Sequence, residues 1–426
     1  MVDVAKVRMF GQNIGTFVWD DSYRVARFEY DNDFVGKGIE PSPIMMPVQQ
    51  GRIYSFGSLN WDTFNGLPGM LADSLPDTYG RALFDQWLTL TGRTTSNPVE
   101  SLCFLGQRCM GALEFEPATG PSSDANMKFE IDSLIDVARE ALSKKKDFGV
   151  NLDADRKAAI AEILRLGTSA GGQRAKAIIA YNKETGEVRS GQISAPEGFD
   201  YYLIKLDGVT AEAGFKETEN FGRLEYSFSE LVKNCGIDMT ECSLIEENGR
   251  AHFLTKRFDR ENGRKIHMQT LCGMAHYDFR LKNGHSYEQA FNVMRRLRLP
   301  YSQAQEMFRR IVFNVVVRNQ DDHTKNISFL MNPSGQWRLS PAYDMGFAYN
   351  PKGAWTATHQ MSINGKFDNI TRADLLSLAN ANNIKNASEI IDQVCETTAG
   401  WPELAKNCGV PQKMIDGIVP HMLLSI

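Results

Sequence analysis

The sequence predicts an α+β protein built in three consecutive parts: a β-rich N-terminal subdomain (residues 1–118), a mixed, mainly antiparallel part (119–258) and a mainly helical C-terminal part (259–426). Three observations predict it. Short alternating apolar runs broken by Gly, Asp-Asn and Pro signals fill the first part, strand-like runs alternate with helical patterns in the second, and helical periodicity dominates from about residue 269. A chain of 426 residues also exceeds the size at which one hydrophobic core stops growing.

In the first part, the runs from Lys6 to Phe10 and from Tyr23 to Tyr30 read as strands. Two helical patches interrupt them, the clearer running from Tyr79 to Leu88 after the start signal Pro76-Asp77. The polar, turn-rich stretch from Pro117 to Asn126 marks the first boundary. Residues 129–166 carry helical periodicity until the run from Gly167 to Gln173 breaks it. Strands are predicted at Ala177–Tyr181, Tyr201–Leu206 and Ala251–Thr255, with a helix at about 221–235 between the last two. A helix from Ala304 to Arg318 follows, then short strands at Ile327–Leu330 and Trp337–Leu339.

Composition excludes several function classes. Hydrophobic residues make up 42% and charged residues 23%, as in ordinary globular chains, and no run approaches the roughly 18 apolar residues of a membrane span. The N-terminus lacks the apolar stretch of a secretory signal, so a cytoplasmic location is expected. Seven cysteines, with no CxxC pair, suggest neither a disulfide framework nor a zinc site, and read as small buried hydrophobes. A net charge of −5 argues against a chain that coats nucleic acid by itself. The basic runs Lys144–Lys146 and Arg295–Arg298 read as solvated faces that would help a DNA-binding partner.

The chemistry-bearing residues lie in five places. The loop from Asn319 to Asn326 sits between a helix and a strand, and Asp321 and Asn326 have the Asp-x-x-x-x-Asn spacing of a kinase catalytic loop. There the Asp accepts the substrate hydroxyl proton and the Asn binds Mg²⁺. Taken alone, the cluster is equally a polar turn. Asp344 stands before Met345-Gly346 as in a DFG-type motif, adding a carboxylate for Mg²⁺, which prefers one or two side chains plus phosphate oxygens. Lys205 interrupts an apolar strand and needs an anion; Glu225 follows 20 residues later on a predicted helix, although a snorkelling edge-strand lysine is the alternative. The loop Ser169–Lys176 holds Gly171-Gly172, whose backbone permits close approach to phosphates, or a plain hairpin turn. The order of glycine loop, lysine, glutamate, catalytic loop and second aspartate is that of a kinase-type site.

With these motifs in place the chain resembles the HipA family of serine/threonine kinases, the toxin halves of bacterial type II toxin–antitoxin modules. The resemblance rests on the segments Phe64–Asp77 and Leu105–Leu113 in the N-terminal part, and on Gly167–Gly172, Tyr202–Leu206, Lys256–Arg260, Asp321–Asn326 and Pro341–Asp344. It implies a kinase-like two-lobe fold with an added N-terminal β-rich subdomain, and ATP and Mg²⁺ as cofactors. Ser169 would be an autophosphorylated serine, and Ala170, Gly171, Gly172 and Gln173 would cover the ATP phosphates. Lys205, Glu225, Lys256, Phe258 and His323 would complete the ATP-binding set, with Lys256 and Phe258 lining the adenine hinge. Asp321 would be the catalytic base and Asn326 and Asp344 the metal ligands. It further implies a HipB-like helix-turn-helix antitoxin as partner, operator DNA bound mainly through that antitoxin, and a protein substrate of translation such as an aminoacyl-tRNA synthetase. One departure is Ala175, where many members carry Arg-Pro-Lys in place of Arg174-Ala-Lys176. Two other readings remain from the residues: a non-catalytic co-repressor subunit, and a small-molecule kinase of the aminoglycoside phosphotransferase type, which the β-rich N-terminal part fits poorly.

Overall fold

Alternating burial builds the first sheet. Along Val4–Met9 the residues Ala5, Val7 and Met9 point inward while their neighbours face outward, the period-two pattern of a half-buried strand. The computed structural model of the chain describes residues 2–93, 95–120, 128, 131, 135, 174–192, 194–210, 214–215 and 219–426. These divide into two compact units, one from Met1–Pro41, Val48–Glu219 and Ile245–Met268, the other from Ser42–Pro47, Asn220–Leu244 and Gln269–Ile426. The helical reading of 129–166 falls outside the described residues except at Ile131 and Ile135, both helical and buried.

In the first unit the sheet order is Ile53–Tyr54, Val25–Tyr30, Gln12–Asp20, Val4–Met9 and Leu113–Glu116, antiparallel throughout. Phe17, Phe28, Tyr30 and Phe115 fill its inner face, with Phe28 edge-on to Tyr30 at 4.8 Å between centroids. Four helices interrupt the strands where two were expected: Trp61–Phe64, Gly69–Ala72, Thr78–Leu90 and Pro98–Leu105. Asp77 caps Thr78–Leu90 by accepting the Gly80 N–H at 2.7 Å.

A second sheet in the same unit runs Arg250–Lys256, Asp200–Thr210, Arg174–Tyr181 and Val188–Ser190, again antiparallel. The register slips between Arg174 and Lys176. Ala175, at this irregularity, is fully buried. Lys176 is only 2% exposed and its Nζ lies 2.8 Å from Asp77 Oδ2. Neither charge has access to water, so each depends on the other.

The segments Leu105–Leu113 and Lys256–Arg260, separated by some 150 positions, close one buried charge cluster. Asp259, fully buried, takes two hydrogen bonds from Arg257 (2.8 and 2.7 Å), one from Arg260 Nη1 (2.8 Å) and one from the Gly111 N–H (2.6 Å). Burial pushes its pKa up, but the two guanidinium groups and the Gly111 N–H outweigh that and hold it far below the carboxylate range. Gly111 has φ +74°, and a Cβ there would meet the Met268 backbone nitrogen at 2.9 Å, so only glycine allows the approach.

The second unit is mainly helical. Phe221–Asn234, Tyr287–Arg296, Tyr301–Val317, Arg372–Ala381 and Ala387–Ala399 surround one core. The half of Tyr301–Val317 from Met307 onward is almost entirely buried, as expected of a helix enclosed by others. Phe228 stacks on Trp401 at 4.7 Å. The hairpin Ser328–Met331 and Trp337–Leu339 lies in this unit, as does the short parallel pair His285–Ser286 with Met361–Ser362. Five cysteines are buried, while Cys395 and Cys408 are partly exposed. No helix among the described residues is long and apolar enough to cross a membrane.

One buried and one half-buried histidine set a pH dependence of stability. Burial lowers His267, whose Nε2 donates to the Pro41 carbonyl, and His276, each to about 4 from the ordinary 6.5. Between those values the unfolded chain binds protons that the folded chain refuses, so stability falls as pH drops, by roughly 3 kcal/mol for each histidine at pH 4. Thermal unfolding followed by circular dichroism should give a clearly lower midpoint at pH 5 than at pH 7.5, with a smaller difference in His276→Gln.

Candidate functional site

The helix Tyr301–Val317 ends at Arg318, which adopts a left-handed conformation (φ +55°) that turns the chain sharply into the loop 319–326. Arg318 is held there by its guanidinium, 3.7 Å from the Tyr349 ring centroid. Asn319 then bonds back, its Nδ2 donating to Asn314 Oδ1 at 2.9 Å and to the Asp344 carbonyl at 3.2 Å. The loop closes with the 3₁₀ turn Thr324–Asn326 before the strand Ser328–Met331.

Two adjacent aspartates in this loop have opposite fates. Asp322 has 1% side-chain exposure against 45% for Asp321. Asp322 Oδ2 accepts from Tyr287 Oη at 2.7 Å and from His359 Nδ1 at 2.8 Å, and Oδ1 accepts from the Gln360 N–H at 2.7 Å. Asn314 Nδ2 donates to the same Tyr287 Oη at 3.0 Å; burial first, then the charge and hydrogen bond of Asp322, drive the Tyr287 pKa far up against the lowering by Asn314. Asp322 is thus a structural hub, and its neighbour is the one presented at the surface.

Asp321 accepts one hydrogen bond on its carboxylate, from Trp355 Nε1 to Oδ1 at 2.8 Å. Its backbone carbonyl accepts from Asn326 Nδ2 at 2.8 Å, which fixes the two ends of the Asp-x-x-x-x-Asn motif against each other. Burial raises the Asp321 pKa and Asp344 raises it further, against lowering by His323 and Trp355. Burial lowers the pKa of His323, whose Nε2 lies 3.9 Å from Asp321 Oδ1 and whose ring meets Phe279 edge-on at 5.3 Å.

Asp344 is tied to this loop from both sides. Its neighbour Tyr343 donates to the Lys325 carbonyl at 2.6 Å, the Ala348 N–H donates to the Arg318 carbonyl at 3.1 Å, and the Gln320 N–H donates to the Ala348 carbonyl at 3.2 Å. Asp344 itself has φ +50°, a conformation that costs a non-glycine residue about 1–3 kcal/mol and persists only where surroundings enforce it.

The donor set fits a divalent cation of the Mg²⁺ kind. Asn326 spends its amide N–H on Asp321, which leaves the amide oxygen for a cation, and Asp344 adds a carboxylate whose charge is felt by both Asp321 and His323. Among the described residues no group of three or more His, Cys, Asp and Glu forms a cage, so any cation here would take further oxygens from phosphate or water.

Asp321, His323, Asn326 and Asp344 therefore come together in the second unit, which also carries Glu225 on the helix Phe221–Asn234. Lys205, Lys256 and Phe258 belong to the first. Lys205 lies on an interior strand, opposite Phe253 on one side and Lys176 on the other, which overturns the edge-strand reading: strands on both flanks use its backbone groups. Lys256 pairs with Asp200 at 2.7 Å in an exposed contact. Ser169, Ala170, Gly171, Gly172 and Gln173 lie outside the described residues. Asp322, Tyr287, His359 and Trp355 were missed by sequence reasoning. The only signal for them was the doubled aspartate, whose second member has no place in the motif.

Family models match both halves of the chain: the HipA N-terminal domain over residues 5–116 and the HipA-like C-terminal domain over residues 168–401. The chain belongs to the HipA family. A Haemophilus influenzae protein named "Putative kinase" is 29% identical over 136 residues, which are 28% of this chain and 39% of that protein. The serine/threonine-protein kinase toxin HipA of Shewanella oneidensis is 35% identical over 65 residues, 15% of either chain. These matches thus span well under two thirds of the relatives' length. A solved structure of Shewanella oneidensis HipA with HipB and operator DNA superposes with TM-score 0.66 at 17% identity, covering 98% of this chain and 94% of that one, so the α+β HipA fold is shared.

The two aspartates should separate in stability. Asp322→Ala leaves Tyr287 and His359 without their buried acceptor and should cost about 3–5 kcal/mol, whereas Asp321→Ala should cost less than about 1 kcal/mol. Chemical unfolding of the two variants beside the parent, followed by tryptophan fluorescence, measures the difference.

Proposed function

We propose that this protein is an ATP- and Mg²⁺-dependent serine/threonine protein kinase, the toxin of a type II toxin–antitoxin module. The observation that carries the reading is the division of labour at 321–322: one aspartate is consumed by the fold, and the other is held open to solvent beside Asn326 and Asp344. Asp321 takes the hydroxyl proton of the acceptor serine or threonine as the hydroxyl oxygen bonds the γ-phosphorus of ATP and the bond from that phosphorus to the β-phosphate oxygen breaks, releasing ADP. Asn326 and Asp344 would hold the metal, through an amide oxygen and a carboxylate. Bound MgATP supplies a γ-phosphoryl group with its charge partly neutralised. By the family resemblance Lys205, Glu225, His323 and the segment Ala170–Gln173 would serve the phosphates of the nucleotide, and Lys256 and Phe258 its base.

The acceptor is a protein of the translation machinery, of which an aminoacyl-tRNA synthetase is the expected type. The regulatory partner is a HipB-like helix-turn-helix antitoxin, and operator DNA is reached mainly through it. Support comes from family membership, from the HipB and operator DNA present in the similar solved complex, and from a net charge of −5, which suits a subunit that leaves DNA to its partner.

Incubation of the protein with γ-labelled ATP and a bacterial lysate, followed by mass spectrometry of labelled serines and threonines, tests the reading and identifies the acceptor. Asp321→Asn should still bind ATP but transfer label roughly 10²–10⁴-fold more slowly; transfer at the parent rate would overturn the assignment. Asp344→Ala should lose the Mg²⁺-dependent part of ATP affinity in calorimetry. Ser169 adds a switch: a phosphate there brings about −1.5 to −2 charges beside those of the nucleotide. Phosphorylated protein should bind ATP far more weakly than unphosphorylated protein, and Ser169→Ala should escape that loss.

A further inference from the structure

Trp355 follows Asp344 by eleven positions and precedes the strand Met361–Ser362. Its carbonyl and those of its two neighbours are bonded. The Trp355 carbonyl accepts from Gln360 Nε2 at 2.6 Å, and the same amide donates to the Thr358 and Gln320 carbonyls at 3.0 and 3.2 Å. The Asn350 N–H donates to the Thr356 carbonyl at 3.2 Å, and Lys282 Nζ donates to the Ala354 carbonyl at 2.7 Å. The Gln360 N–H is one of the bonds that fix Asp322. The segment carrying the indole is therefore attached to the same hub as the catalytic loop.

The indole N–H reaches Asp321 Oδ1. His323 Nε2 also faces Oδ1, at a distance too long for a hydrogen bond. Among the described residues no donor reaches Oδ2. An indole N–H donates and cannot accept, so Trp355 cannot take the acceptor's proton itself. A carboxylate whose terminal torsion is otherwise broad gains one orientation from such a bond. With Oδ1 held, Oδ2 is the oxygen presented outward.

We propose that Trp355 is the positioning residue of the base: its indole N–H clamps Asp321 Oδ1 so that Oδ2 meets the acceptor hydroxyl. The inference rests on the reading of Asp321 as the base, and the tests separate the two. In protein labelled with ¹⁵N-tryptophan, one indole N–H resonance, assigned as the one lost in Trp355→Phe, should move on Asp321→Ala; an unmoved resonance sinks the contact whatever the enzyme does. In the labelled-ATP assay Trp355→Phe, which keeps an aromatic ring and loses the N–H, should slow transfer at saturating ATP by roughly 10–100-fold, the usual effect of removing a group that orients a reacting one. Its ATP dissociation constant and unfolding midpoint should match the parent's. Trp355→His, which restores a ring N–H, should recover part of the rate, and Asp321→Asn/Trp355→Phe should be no slower than Asp321→Asn alone. Transfer at the parent rate in Trp355→Phe, or losses that add fully in the double variant, would overturn the proposal while leaving the base assignment standing. Parent-level transfer in Asp321→Asn would instead remove the base assignment.

Discussion

The second unit turns on a buried carboxylate with three donors. Asp322 joins the helix Tyr287–Arg296, through Tyr287, to the segment His359-Gln360 and to the catalytic-type loop in which it sits. A buried anion is tolerated only when its oxygens are satisfied, and here both oxygens are. Because Tyr287 and Asn314 share the same network, the end of the long buried helix Tyr301–Val317 is positioned by it as well. Everything that makes Asp321 available, including the anchored segment bearing Trp355, follows from this arrangement.

The first unit uses the same device with a different composition. Asp259 between Arg257 and Arg260, and Lys176 against Asp77, are ion pairs removed from water. Such pairs contribute little net stability over apolar packing of the same volume, but removing one partner leaves an uncompensated charge. Their consequence is geometric. Asp259 receives the N–H of Gly111, so two stretches distant in sequence are held in one register, and Lys176 is held beside the strand that bears Lys205.

Much of the fold was legible because it is periodic. The strands Val4–Met9 and Arg250–Lys256 and the helices Phe221–Asn234 and Tyr301–Val317 stand where alternating or 3.6-residue patterns place them. The short helices Trp61–Phe64 and Gly69–Ala72 were not legible. Four residues are too few for a period to show, and they exist because buried Phe64, Met70 and Leu71 pack there.

In the site, sequence by itself determined which groups are on offer: two carboxylates and an amide at motif spacing, and an order of elements shared with a known family. Spacing could do this because Asp321 and Asn326 are linked locally, by one amide-to-carbonyl bond between residues five apart. Which of two identical neighbours is exposed was decided only in three dimensions, since it depends on Tyr287 and His359, each more than thirty positions from Asp322. The same holds for Trp355 on Asp321, and for Lys205 in the interior of its sheet rather than at its edge. Contacts between residues far apart in the chain leave no period and no spacing to read, because loop closure brings them together only once the core around them has formed.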